Sequence, residues 1–127
     1  MALELAKLFR AVGEPTRLRL LNLLRRGTIC VCDLQAVLRL RQPTVSRHLA
    51  ALRHAGLVRD SREGPRVLYS LAPATSSQLK AFHQYLAEVC PGEPLLQKDL
   101  REMEKALARG ECMVLERKES TGVEASE

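Results

Sequence analysis

Between Val31 and His54 two helical repeats stand almost end to end, an arrangement few folds accommodate. In the first, Leu34, Val37 and Leu38 recur at helical spacing up to about Leu40, with Asp33 near the positive end. In the second, which Pro43 opens, Val45, Leu49 and Leu52 fall at i, i+4 and i+7 on one narrow arc. Only two or three residues near Arg41 and Gln42 lie between, so the sequence predicts two short helices joined by a tight turn. The arc leaves Thr44, Ser46, Arg47, Ala50, Ala51 and His54 facing outward, a small and polar face. Gly56 stops the second helix. Leu57-Val58 and Val67 to Leu71 are then β-prone runs joined by the polar stretch Arg59 to Arg66, which predicts a hairpin with three arginines on or near its tip.

Two helices precede this unit and two follow it. Leu5, Leu8, Phe9 and Val12 form one apolar stripe that Gly13 closes, and Pro15 opens a helix running through Leu18, Leu21 and Leu24 to a basic last turn before Gly27. After Pro73, Leu79, Phe82, Leu86 and Val89 mark a fifth helix ending at Cys90-Pro91-Gly92. Leu96, Leu100, Met103 and Leu107 mark a sixth before Gly110. Beyond Lys118 the composition predicts a frayed tail. The expected division is residues 1–91 as the folded working domain and 92–127 as a C-terminal helix with a flexible tail.

Charge sharpens the functional reading. Residues 1–72 hold 13 bases and 5 acids, whereas 73–127 hold 7 and 10, and 12 of the 13 front bases are arginine. Arginine forks onto phosphates and base edges, so the front surface suits a polyanion. With only Phe9, Tyr69, Phe82 and Tyr85 as aromatics, a stacking platform for single strands has almost nothing to be built from, and duplex DNA fits better. The fold class is therefore mainly α with a β-hairpin wing, a winged helix-turn-helix. Gln42, Thr44, Ser46, Arg47 and His48 are the candidates for base contact in the first turns of the second helix of the pair, with Arg62 and Arg66 gripping phosphate from the wing. No glycine-rich phosphate loop, nucleophile elbow or Cys-x-x-Cys supports catalysis, and a thiol redox enzyme is the remote alternative. Met1 to Val12 is amphipathic rather than an apolar leader, so a soluble cytoplasmic protein is expected, with cysteines kept as thiols.

The blocks Glu14-Pro15-Thr16-Arg17-Leu18, Cys30-Val31-Cys32-Asp33-Leu34, Gln42 to Leu49, and Arg62-Glu63-Gly64 through Tyr69-Ser70-Leu71 together resemble the ArsR/SmtB family of metal-responsive repressors over roughly residues 3 to 90. The resemblance implies a homodimer, paired through the first and fifth helices, that binds an inverted-repeat operator and releases it when a toxic metal or metalloid binds. The Cys-Val-Cys-Asp-Leu motif resembles the arsenite- and antimonite-sensing branch, making As(III) or Sb(III) the expected inducer and Cys30 and Cys32 its core ligands. That branch often carries a third cysteine where this chain has Gln35. Either two thiolates suffice, or Cys112 or Cys90 completes the set, with Cys112 the better candidate. Cadmium or lead sensing, or thiol oxidation, are alternatives that a dithiol pair also permits.

Two residues apart on a regular helix, thiols point to opposite sides, since each residue turns about 100°. In an extended segment they share a side. The sequence thus predicts that chelation competes with the first turn of the Val31 helix.

Overall fold

The computed structural model describes residues 2–115. In chain order these form α1 (Ala2–Val12), α2 (Pro15–Leu24), β1 (Thr28–Cys30), α3 (Val31–Leu38), α4 (Gln42–His54), β2 (Val58–Glu63), β3 (Arg66–Leu71), α5 (Ser77–Val89), a 3-10 turn (Cys90–Gly92), α6 (Pro94–Ala108) and β4 (Val114–Leu115). All six expected helices and the hairpin are present, giving a winged helix-turn-helix. The expected frayed tail beyond Lys118 lies outside the described residues.

Helix α2 is the hub. The Glu14 carboxylate caps it by accepting from the Arg17 N–H at 3.1 Å, proline stands at its start, and Leu20, Leu21, Leu23 and Leu24 are all fully buried. Each such leucine contributes about 2 kcal/mol of apolar burial before entropy is counted. Helices α1, α4 and α6 and strand β3 all pack on α2. Helix α6, expected in a separate C-terminal segment, shares this core: Leu96 and Met103 are buried, Asn22 donates to the Leu96 carbonyl at 3.1 Å, and Arg19 forks onto Asp99 at 2.8 and 3.0 Å.

Helices α3 and α4 are separated by Arg39, Leu40 and Arg41. Arg39 takes the left-handed conformation (φ 57°) that ends α3, and its N–H bonds back to the Gln35 carbonyl. Helix α4 begins one residue before Pro43. The wing departs more from expectation, because the polar stretch is not a long loop. Val58 to Glu63 is a full strand paired residue for residue with Arg66 to Leu71, and only Gly64 (φ 62°) and Pro65 make the turn. Cross-strand pairing to an apolar β3 overrides the low β-propensity of Asp60, Ser61 and Glu63.

Two strands were not visible in the pattern. β1 is three residues long and β4 two, too short to show alternation, yet they complete an antiparallel sheet of order β2-β3-β1-β4. Gly27 makes this possible: a Cβ there would stand 2.4 Å from the Leu115 carbonyl oxygen, so only glycine lets β4 approach β1. Among the described residues no helix is long and apolar enough to cross a membrane.

Candidate functional site: reading helix, wing and thiol corner

The outer face of α4 carries most of the expected reading residues. Gln42 and Arg47 are exposed, and Thr44 and Ser46 are half-exposed. Gln42 Nε2 donates to Ser46 Oγ at 2.6 Å, one turn along, which pre-orders two polar side chains at the start of the helix. His48 does not join them. It is only 8% exposed, and its Nδ1 accepts from Arg17 Nε at 3.1 Å, with Glu14 Oε1 3.8 Å away. Burial pushes its pKa below the usual histidine value, against the opposing pull of Glu14. The imidazole is therefore a neutral acceptor that fastens α4 to the start of α2. Its position beside the apolar arc, between Val45 and Leu52, is the signal that could have marked it as inward.

Arg62 stands exposed on β2, while Arg66 is turned toward the sheet. Cys30 lies directly opposite Leu68 across β1 and β3, which puts Cys30 and Arg66 on one face as diagonal neighbours. The Arg66 guanidinium lines the same groove as Cys30, near enough to favour the ionised form of its thiol, and lies 3.7 Å from Glu63 Oε1. The two wing arginines thus differ: Arg62 faces solvent, and Arg66 links the wing to the thiols. A further link leaves no signal in the sequence. Arg53 Nη1 at the end of α4 donates to the Tyr69 hydroxyl at 2.9 Å and approaches Asp60 at 3.7 Å, setting the wing against the reading helix.

Cys30 is not inside α3. It ends β1 in an extended conformation (φ −69°, ψ 144°) and caps the helix, its Sγ accepting from the Cys32 N–H at 3.3 Å. Cys32, in the first turn, is exposed, and its thiol lies 4.0 Å from Asp33 Oδ1. The expected opposition between helix and chelation therefore does not arise in this form, because the chain turns from strand to helix between the two cysteines. Electrostatics divides them. Burial opposes ionisation of Cys30, but hydrogen bonds from the Cys32 thiol and N–H, from Arg66 and from the Asp33 N–H outweigh it and lower its pKa. The hydrogen bond to Cys30, burial, and the negative charges of Cys30 and Asp33 push Cys32 up to about 11. The pair thus gives up its first proton more readily than an isolated thiol and its second less readily, as coupled acids do.

Cys112 precedes β4 and is half-buried. Burial raises its pKa, and Asp33 and Cys30 are near enough to raise it further. The Met113 N–H donates to Asp33 Oδ2 at 3.2 Å, so this segment is tied to the first turn of α3 rather than hanging free. Among the described residues no three His, Cys, Asp or Glu side chains stand close enough to hold a metal ion together, so Cys112 has to move to join the pair. Cys90 is buried after α5, where burial raises its pKa against the pull of Arg25.

One groove joins these parts. Cys30 and Cys32 open into it beside Gln42 and Ser46 of the reading helix and Arg66 of the wing.

Comparison with known proteins agrees with this geometry. Residues 14–60 match the family model described as bacterial regulatory protein, arsR family. The arsenic resistance transcriptional regulator ArsR1 of Pseudomonas putida is 46% identical over 58% of this chain and 59% of its own length. ArsR2 of the same organism is 38% identical over 63% of this chain and 77% of its own. This chain therefore spans about three fifths of the first relative and over two thirds of the second. Among solved structures, the homodimeric winged helix-turn-helix DNA-binding domain of a possible ArsR-family regulator from Mycobacterium bovis superposes with a TM-score of 0.57 at 32% identity, over 67% of this chain and 79% of that one. The first two are named as transcriptional regulators and the third as a possible one.

Proposed function

This chain belongs to the ArsR family of bacterial regulatory proteins, and from that premise we propose that it is a transcriptional repressor, binding duplex operator DNA as a homodimer and releasing it when trivalent arsenic or antimony loads Cys30 and Cys32. The observation that carries this reading is the shared groove, in which the thiol pair lies against the reading helix and the wing. Gln42, Thr44, Ser46 and Arg47 read base edges, and Arg62 and Arg66 hold the backbone. Soft thiolates favour a soft, thiophilic ion. An ion bound by both sulfurs removes Cys30 Sγ as the helix cap and occupies the space beside Gln42, Ser46 and Arg66. Release thus comes from filling the groove and loosening the cap rather than from unwinding a whole turn. About a hundredfold preference for the released form, roughly 2.7 kcal/mol, is enough for induction. Cys112, tied beside α3, is the third donor for inorganic arsenite. The dimer face is the stripe of Leu5 and Phe9 on α1 with Tyr85 and Val89 on α5, all exposed, where Phe9 meets Phe82 edge-on at 6.3 Å.

The test uses a duplex selected by this protein from a random pool, with binding followed by fluorescence anisotropy. Affinity falls at least tenfold between ~50 and 200 mM salt if several phosphates are neutralised. Arsenite dissociates the wild-type complex but not that of Cys30→Ser or Cys32→Ser, both of which still bind DNA. Cys112→Ser binds DNA normally and needs more arsenite. A flat salt response removes DNA binding from the reading, and arsenite release that persists in the double serine variant moves sensing elsewhere.

A further inference from the structure

The turn between α3 and α4 breaks two local rules with the same residue type. The position that ends α3 takes the left-handed conformation, where glycine or asparagine is preferred. It holds Arg39, the only non-glycine residue with a positive φ (57°) among the described residues. The position that caps α4 favours serine, threonine, aspartate or asparagine, yet it holds Arg41, whose side chain makes no capping hydrogen bond. A cation there also opposes the helix dipole, which favours negative charge at an N-terminus. Nothing inside the molecule offsets either choice. Both arginines are exposed. Arg39 borders a shallow groove with Glu102 and Glu111, but Glu102 is paired with Lys105 at 3.5 Å and Glu111 with Arg109 at 3.0 Å. Neither Arg39 nor Arg41 forms an ion pair among the described residues. Leu40, between them, packs against the core and leaves the two arginines flanking it on the outside. A local preference overridden with no internal gain marks a position kept for function.

We propose that Arg39 and Arg41 form a second clamp on the DNA backbone, each meeting a phosphate beside the base-reading start of α4. The proposal rests on the DNA-binding reading above and adds to it a part of the interface that α4 and the wing do not supply. Arg41 immediately precedes Gln42, whose amide is already ordered against Ser46. A phosphate held by Arg41 therefore fixes how deeply that polar pair enters the major groove, a positioning contact that carries no sequence information of its own. Arg39, two residues earlier on the same side of the turn, holds the neighbouring phosphate. The planar guanidinium fork suits phosphate oxygens, and engagement breaks no existing ion pair of either arginine. The turn is thus less stable in the free protein than it could be, and its two arginines act only when the duplex is bound.

The test compares Arg39→Gly and Arg41→Ser with a control that carries Lys98→Gln and Arg101→Gln, which removes two exposed positive charges from α6. Binding to the duplex selected by this protein, and to a scrambled duplex, is followed by anisotropy as salt is raised. Each turn variant removes two phosphate contacts from a bound dimer, so the slope of log affinity against log salt is expected to fall by about 1.8. At ~0.1 M salt, affinity is expected to fall by at least ~10-fold on both duplexes. The α6 control keeps the wild-type slope. In urea both turn variants are expected to unfold at higher midpoints than wild type, because glycine relieves the left-handed position and serine supplies the missing cap. A flat wild-type slope removes DNA binding and the clamp with it. A steep wild-type slope that both turn variants retain overturns the clamp and leaves the rest of the interface standing. An equal fall in the α6 control does the same, since it assigns the effect to net charge. Losses confined to the selected duplex overturn phosphate contact in favour of base contact. Midpoints at or below that of wild type show that the arginines are no burden on the turn and overturn the proposal.

Discussion

Two corners of the molecule use polar contacts for opposite ends. Where α2 meets α6, Arg19 and Asp99 form a two-pronged pair whose carboxylate is only 4% exposed, and the Asn22 amide holds a buried carbonyl. Where β1 becomes α3, the contacts are longer and partly to sulfur: a cap at 3.3 Å, a thiol 4.0 Å from Asp33 Oδ1, and one N–H on Asp33 at 3.2 Å. Paired contacts in a dry setting have no competitor, so they lock. Single contacts to soft sulfur can be exchanged for bonds to a ligand, so they switch. The reading helix α4 stands between the two corners, fastened to α2 by His48 and facing the thiols through Gln42 and Ser46.

The sharpest way to break the locked corner is Asp99→Ala. It leaves the Arg19 guanidinium without its partner in a largely buried place, and the expected loss is about 3 kcal/mol, read as a lower urea midpoint at unchanged slope. A loss under about 1 kcal/mol would place Asp99 among ordinary surface pairs. Next comes Gly27→Ala, which combines a rarely allowed backbone conformation with a clash against the Leu115 carbonyl. Stability is expected to drop by about 2 kcal/mol. Because β4 is displaced, Cys112 is also expected to react faster with iodoacetamide, the measurement that separates this from simple destabilisation.

How far each corner was legible in the sequence follows the same division. Long apolar periodicities located α1 to α6, because burial decides them and leucine spacing reports it. The wing hairpin was visible through the Leu57-Val58 and Val67 to Leu71 runs, but the extent of β2 was not, since its partner strand rather than its own residues makes Arg59 to Glu63 a strand. The thiols announce themselves by type, whereas their geometry does not follow from their spacing. Spacing places Cys32 on a helix but cannot say that Cys30 lies before the helix begins, because β1 is too short to announce itself. At Arg66 and His48 the sequence alone reads alike whether the side chain faces a phosphate, a sulfur or a neighbouring helix. Only the register of β1 on β3 and the crossing of α2 with α4 separate those cases.

A smaller effect probes the switching corner. Cys30→Ala removes the helix cap and is expected to cost about 1 kcal/mol, whereas Cys30→Ser keeps an acceptor and costs less than half of that. Equal stabilities for the two variants, measured by thermal and urea unfolding, would mean that the sulfur cap contributes nothing to folding and serves the ligand alone.

The smallest expected effect lies on the boundary between the corners, at His48, and its sign follows from geometry. The buried imidazole accepts from Arg17, so protonating it loses that bond and adds a cation beside Arg17 and Arg47, which Glu14 only partly offsets. Its folded pKa lies below the unfolded value of about 6.5, so the unfolded chain takes up the proton first. The stabilisation is present in full above pH 6.5 and is lost as pH falls through the lower folded value. The difference in unfolding free energy between wild type and His48→Asn should therefore be constant from pH 8 to about 7 and shrink on acidification toward pH 5. If instead the difference grew as the pH fell, His48 would be charged in the folded state and paired with Glu14, and α4 would be held to α2 by an ion pair rather than by a neutral ring.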